Sequence, residues 1–329
     1  MIVLGIESTA HTFGIGIIKD GKIIANIRDS YTTEEGGMIP FKVLDHHVVV
    51  CDTVLKNALE KANLTIQDID LISFSKSPGM GHALKVGAVM ARSLSVKHNI
   101  PIIGVNHCIA HLTIGEQLND VDDAILLYAS GANTQIIAFE GNKYRVFGET
   151  LDQGIGNFLD SIGRYFGLGF PAGPKIDELA KKGSTYIKIP YTVKGMDVSF
   201  GGLITHVKKL FDSKEHKLED ICYSIQETVF AMLCEVTERA LAHTGKTKVV
   251  IGGGVGCNTR LREMCKQMCE ARGATFYTVP NEYLVDNGAM IAMQGMVQWT
   301  GKSDKDTSVD PYERTDDITV TWKPIQRKE

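Results

Sequence analysis

The spacing of apolar residues changes period several times along the chain, and the changes come in the same order in its two halves. Residues 2–5, 13–18 and 22–27 are short strand-like runs, and Lys19-Asp20-Gly21 is a hairpin turn between the second and third, so the chain is expected to open as a β-meander. Over 46–62 the period lengthens to that of a helix, with Val50, Val54, Leu55 and Leu59 on one face. A buried-strand run at 71–74, a helix at 85–98 and a strand at 101–105 follow. After Asp123 the order starts again, with strands at 124–129, 135–140 and 143–148, the last two joined by a Gly141-Asn142 turn. A long helix at 220–244, a strand at 248–251, a helix at 259–272 and a strand at 275–279 complete it. Two halves of this kind predict a duplicated α/β fold with helices covering the sheets. About the last 25 residues, with few apolar positions before 318–322, read as a weakly ordered tail.

Composition narrows the picture. With 329 residues, 43% hydrophobic and 22% charged, the chain has material for one large or two medium cores. Its 7 cysteines are odd in number and lack a CxxC pair, as expected of a reduced, cytosolic protein. Met1 runs straight into apolar 2–6 with no basic leader, and no apolar run approaches the roughly 20 residues of a membrane span. A cytoplasmic protein without a membrane partner is the expectation. The net charge of -4 gives no overall attraction to nucleic acid, so any such contact needs local patches or basic partner proteins. Lys208, Lys209, Arg260, Arg262 and Lys266 are candidate phosphate contacts or solvated helix faces.

The chemistry starts at His107-Cys108-Ile109-Ala110-His111, which puts two imidazoles at i and i+4, about 6 Å apart on one helix face and able to reach one ion. Two buried histidines satisfied by the protein is the alternative. The same spacing in a metalloprotease needs a Glu after the first His as general base, and Cys108 stands there instead. Tyr128 to Thr134 follows a strand with small and polar residues, suited either to backbone N–H groups approaching a phosphate or to a plain turn. Gly252-Gly253-Gly254, between strand and helix, can bring backbone to a nucleotide but lacks the Lys-Ser/Thr ending of a P-loop. Glu7-Ser8-Thr9-Ala10-His11 lies at the first hairpin. Asp286 before Asn287-Gly288 is either a helix N-cap or a ligand. Such turns at strand ends in two similar halves point to the superfamily of actin, heat-shock ATPases and sugar kinases, with nucleotide between the lobes.

With those residues assembled, the chain resembles the TsaD family, and within it the archaeal and eukaryotic KEOPS-complex subunit, over nearly its whole length. The segments that carry the resemblance are 6–11, Ser77-Pro78-Gly79-Met80-Gly81, 104–111, 128–135, 147–152, 194–200, 252–261 and Asp286-Asn287-Gly288. The resemblance implies a two-lobed actin-like ATPase fold with duplicated RNase H-like lobes and with nucleotide and metal in the central cleft. Residues 1–122 would form the N-terminal lobe, with 296–329 packing back on it, and 123–295 the C-terminal lobe. It implies transfer of a threonylcarbamoyl group from its adenylate to N6 of adenosine 37 in tRNAs reading ANN codons, with release of AMP. Carried over by position, the metal ligands are His107, His111, Tyr128 and Asp286, for Fe²⁺ or Zn²⁺. Contacts to the adenylate or ATP fall on Tyr128, Ala129, Ser130, Gly131, Ala132, Asp160, Gly173, Asp177 and Asn258. His11 is a candidate base. The implied partners are tRNA, a small dimerising subunit, a kinase-like ATPase and that kinase's small regulator.

Three positions depart from the family's usual pattern. Ala132 replaces the second Gly of a Ser-Gly-Gly-Asn motif, Ala172-Gly173-Pro174 replaces Gly-Gly-Pro, and Gly256-Cys257 replaces a pair of small residues. A Cβ at 132 would crowd a phosphate, or strain the backbone if a positive φ were needed there. An actin-fold small-molecule kinase and an ATP-binding scaffold without catalysis are the competing readings.

Overall fold

The computed structural model describes residues 1–35 and 37–323. Strands β1 (Ile2–Glu7), β2 (Thr12–Lys19) and β3 (Lys22–Ser30) form the expected meander, and helix α1 (Pro40–Ala62) returns the chain to β4 (Leu71–Ser77), α2 (Gly81–His98) and β5 (Ile102–Asn106). The spatial order is β3-β2-β1-β4-β5, with β1, β4 and β5 parallel and the first three strands antiparallel. Both α1 and α2 begin several residues earlier than the expected 46 and 85, their buried faces opening at Val43 and at Ala83. Pro40 sits in the first turn of α1, where its missing N–H costs nothing.

Helix α3 (His107–Leu118) leads into the second half: β6 (Ile125–Ala129), β7 (Thr134–Glu140), β8 (Lys143–Glu149), α4 (Ile155–Tyr165), α5 (Gly173–Ala180), the short strands β9 (Val193–Lys194) and β10 (Asp197–Val198), and α6 (Gly201–Ser213). Then come α7 (Leu218–Thr244), β11 (Lys248–Gly252), α8 (Thr259–Ala271), β12 (Thr275–Tyr277), α9 (Asn281–Leu284) and α10 (Gly288–Gln298). The second sheet runs β8-β7-β6-β11-β12, again a meander whose first strand continues into parallel pairing. The duplication read from the sequence is therefore present strand for strand. Helices α4, α5 and α6 are additions to the expected elements. The glycines and prolines around 167–174 favour irregular chain, although Ile155, Phe158, Leu159 and Ile162 in α4 repeat with a helical period.

Chain order and packing part company at α10. This helix, expected to end the second lobe, packs on the first sheet, where Val3, Ile18, Leu71 and Ile103 cluster with Ala292 and Met293. Glycines make the approach close: a Cβ on Gly16 would lie 2.1 Å from the Ala289 nitrogen, and one on Gly5 2.2 Å from the Gly288 oxygen. The opposite face of that sheet is filled by Leu4, Ile6, Phe13 and Ile15 against α1 and α2. In the second sheet, Ile125, Leu127 and Ala129 face the large helical core, while Leu126 and Tyr128 face α3. Helix α3 is thus held between the two halves, touching β5, β6, β11 and α10.

The weakly ordered tail is not what the structure shows for residues 302–323. Asp304 N–H donates to the Ile102 oxygen (2.9 Å), Asp310 N–H to that of Lys76 (2.9 Å), and the Pro311 oxygen accepts from Gly79 N–H (3.2 Å). Beyond them Arg314 pairs with Glu149 of β8 (3.2 Å), and Ile318, Val320 and Trp322 pack beside Tyr144. Polar contacts, not apolar periodicity, hold most of this strap: Ser303 Oγ also accepts from Ile102 N–H (3.0 Å), Asp304 Oδ2 from Gly104 N–H (2.8 Å), and Arg92 donates to Thr307 Oγ1 (2.9 Å). The remainder of the expected tail, 324–329, lies outside the described residues. Among the described residues no helix is long and apolar enough to cross a membrane.

Candidate metal and nucleotide site

The site starts from a helix N-terminus. Asn106 ends β5 and caps α3, its side-chain oxygen accepting from Cys108 N–H (3.0 Å) and Ile109 N–H (3.2 Å). That cap fixes the first turn, and the 3.6-residue period then brings the His107 and His111 rings edge to face at 4.8 Å between centroids. Both are buried. Asp286 comes from the loop before α10, and its Oδ1 lies 3.4 Å from Nε2 of each histidine. The question of whether Asp286 is a cap is answered by its neighbour: Asn287 accepts from Met290 N–H (3.0 Å) and caps α10. Asp286 is left free to face the histidines. Tyr128, near the end of β6, places Oη 2.9 Å from His107 Nε2, with its ring 4.9 Å from that of His111.

Glu7 is the residue that reasoning from sequence missed. It is fully buried at the end of β1 and its Oε2 accepts from His107 Nδ1 at 2.9 Å. A carboxylate only accepts, so Nδ1 carries the proton and Nε2 faces Tyr128 and Asp286. Thr9 locks Glu7 in turn, donating from its N–H (2.6 Å) and its hydroxyl (2.5 Å) to Oε1. A carboxylate closing an otherwise apolar strand was the signal available in the sequence.

Burial disfavours charge on His107, but Glu7, Tyr128 and Asp286 outweigh it and hold its pKa well above the ordinary imidazole value. His111 moves the other way, down, because burial and the neighbouring His107 outweigh Asp286. Asp286 itself is held well below the usual carboxylate range: burial opposes this, and the two imidazoles override it. Burial raises the Tyr128 phenol.

A metal ion fits this arrangement on two observations. Among the described residues neither ring nitrogen of the enclosed His111 makes a well-formed hydrogen bond, Asp286 Oδ1 standing off at 3.4 Å from Nε2, an expensive condition that a bound cation would relieve. One ligand atom each from His107, His111 and Asp286 lie within 4.8 Å of one another. The Glu7 contact should matter to the ion through His107. Glu7→Gln is expected to weaken zinc or cobalt binding by about 10- to 100-fold, measured by titration of chelator-treated protein. Unchanged affinity would remove Glu7 from the site.

The turns expected to meet nucleotide lie alongside. Ser130 to Asn133 folds onto the start of α4, where Ser130 and Gly131 oxygens accept from Gly156 N–H (3.0 Å) and Asn157 N–H (2.9 Å). Gly131 and Ala132 are exposed, and Ala132 has no positive φ, so alanine in place of glycine carries no backbone strain. Gly253 needs to be glycine: its φ is +88° and a Cβ would lie 2.4 Å from the Ala129 oxygen. The neighbouring Gly252 would place a Cβ 3.2 Å from that of His111, so this turn packs directly against α3. Gly254 opens a short 3-10 turn that leads to Asn258. Asn258 caps α8 and donates to Asp177 Oδ1 (3.0 Å), bringing two expected contacts together. Asp160 accepts from Ala172 N–H (2.7 Å) beside Gly173, and burial raises its pKa against the pull of that bond and of His11. The His11 ring stands 5.4 Å from that of Phe170. Of the candidate phosphate contacts, Arg260 is taken up by Glu227 (2.6 Å) and Arg262 by the Gly256 oxygen (2.6 Å), while Lys208 lies over the Tyr165 ring.

The family described as TsaD, tRNA N6-adenosine threonylcarbamoyltransferase, matches residues 22–293. The chain belongs to the TsaD family. A relative named tRNA N6-adenosine threonylcarbamoyltransferase, from Thermococcus kodakarensis, is 52% identical over 98% of this chain and 100% of its own. A TsaD relative from Methanocaldococcus jannaschii, named a probable bifunctional tRNA threonylcarbamoyladenosine biosynthesis protein, is 48% identical over 100% of this chain and 62% of its own length. Among solved structures, HypF from T. kodakarensis superposes with a TM-score of 0.64 at 15% identity, over 88% of this chain and 46% of that one. That likeness, with the two matching sheets, bears out the actin-like ATPase fold expected for a TsaD chain.

Proposed function

We infer that this chain is the tRNA N6-adenosine threonylcarbamoyltransferase of its cell, and we propose that the donor is threonylcarbamoyl-adenylate and the acceptor adenosine 37 of tRNAs reading ANN codons. The observation that carries the site assignment is one of continuity. Tyr128 contacts His107, and the residues that follow it turn across the start of α4 as an exposed loop of small residues.

In the proposed reaction the adenine N6 attacks the carbamoyl carbon, a C–N bond forms, the C–O bond to the phosphate breaks, and AMP leaves with that electron pair. The proton lost by N6 has His11 as a candidate acceptor, alongside a phosphate oxygen or water. His107, His111, Tyr128 and Asp286 would hold Fe²⁺ or Zn²⁺, which when bound supplies a Lewis acid that orients the acyl group. The exposed backbone at Gly131 and Ala132, the paired Asp177 and Asn258, and Asp160 beside Gly173 would hold the adenylate and let the protein orient the reacting groups.

The net charge of -4 supports a need for other proteins in binding tRNA. We propose the KEOPS set: a small dimerising subunit, a kinase-like ATPase and its small regulator. The bifunctional relative, of which this chain matches 62%, supports a second activity working beside this one. The test is reconstitution with threonylcarbamoyl-adenylate, tRNA and those partners, with mass spectrometry of adenosine 37. The modified base is expected; its absence from a mixture in which the T. kodakarensis relative is active would sink the proposal.

A further inference from the structure

The C-terminal strap reaches the metal helix through a chain of polar contacts that the reaction scheme does not use. Glu313 accepts a hydrogen bond from the Ser77 hydroxyl at the end of β4. The Ser77 oxygen in turn accepts from Asn106 Nδ2 at 3.4 Å, and Ser77 and Asn106 are paired in the register of β4 and β5. Asn106 is the cap of α3, holding the amides of Cys108 and Ile109. Ser77 is fully buried and Asn106 nearly so, which shields the bond between them from water, while Glu313 reaches in from a partly exposed position. Two residues further along the strap, Thr315 is buried against the Cys108 thiol, between the two histidines in sequence.

We infer that Glu313 is a positioning residue for the His107–His111 pair, acting through Ser77 and Asn106 on the first turn of α3. The side-chain amide of Asn106 can turn about its own axis. With its nitrogen engaged by Ser77, the oxygen is fixed toward the helix, and Ser77 is oriented only while its hydroxyl proton has Glu313 to go to. The strap thereby couples two regions that the chain separates by about 200 positions, and the helix that carries both imidazoles is set from outside the cleft. Lys76 also lies 3.7 Å from Glu313, but this is a partly exposed pair off the chain that leads to Asn106.

The inference rests on the metal reading only for its consequence, and its test begins without metal. In the metal-free protein, hydrogen exchange at the Cys108 and Ile109 amides is expected to quicken about tenfold in Glu313→Ala. It should stay within about twofold in Glu313→Gln, whose carbonyl still accepts from Ser77, and in Lys76→Met, which removes only the ion pair. Zinc binding should weaken about tenfold in Glu313→Ala alone. Ser77→Ala should reproduce Glu313→Ala. A Glu313→Ala protein that melts earlier yet keeps wild-type exchange at both amides would overturn the inference, leaving Glu313 as a strap anchor only. Faster exchange at those amides with no zinc binding in any variant, wild type included, would uphold the coupling and refute the metal centre.

Discussion

Substituting His111→Leu is expected to lower metal occupancy at least tenfold and threonylcarbamoyl transfer by about 100-fold, while leaving the metal-free protein as stable as the wild type or more so. The asymmetry comes from what each histidine touches. Among the described residues neither ring nitrogen of His111 makes a well-formed hydrogen bond, with Asp286 Oδ1 3.4 Å from Nε2, and an enclosed polar group in that state costs about 1–3 kcal/mol that leucine would not incur. His107 is the opposite case. Its Nδ1 meets the fully buried Glu7, so His107→Leu leaves that carboxylate with its Thr9 bonds but no cationic partner and should destabilise the metal-free protein by about 3–5 kcal/mol, besides abolishing metal binding. Metal content and melting of chelator-treated variants separate the two. If His111→Leu kept a full metal load, or lost as much metal-free stability as His107→Leu, the role given to His111 would fall.

This asymmetry also shows what the sequence could and could not say. The HxxxH spacing was legible because helix geometry alone brings i and i+4 together, and the two meanders were legible because a period of two is local. The joining of Asp286 and Tyr128 to the histidines came from family resemblance, since Asp286 lies more than 150 positions from them and Tyr128 reaches them from a separate strand, and no local rule ties such residues together. Glu7 was quoted within a turn but not paired with His107, because that contact joins strand and helix across 100 positions. The strap was misread for a different reason. Its anchors are hydrogen bonds at Ile102, Gly104, Lys76 and Gly79 and from Arg92 to Thr307, and such polar contacts leave no mark on a hydropathy pattern. Helix α10 shows the same limit at the level of domains: its apolar residues announced burial, not which sheet would receive it.

That misplacement makes the glycines under α10 the strongest test of how fold and site are joined. Gly16→Ala is expected to destabilise the protein by about 3 kcal/mol or more, enough to lower its soluble yield, and to weaken metal binding in whatever remains folded. The added Cβ would fall 2.1 Å from the Ala289 nitrogen and 2.3 Å from the Gly288 carbonyl carbon, both main-chain atoms that no rotamer change can move. Helix and sheet must therefore separate by more than 1 Å, as core contacts need roughly 3.5–4 Å. Separation loosens Val3, Ile18 and Met293 and also carries the loop before α10, where Asp286 sits only two residues from Gly288. The carboxylate now 3.4 Å from both imidazoles would move with it. Gly202→Ala is the control: this glycine lies within helix α6 with no atom within 4 Å of a new Cβ, so alanine there should be neutral or stabilising by up to about 1 kcal/mol. Thermal melting with and without zinc reads both effects. A Gly16→Ala protein with wild-type melting would mean that α10 does not hold Asp286 against the first sheet in the way described.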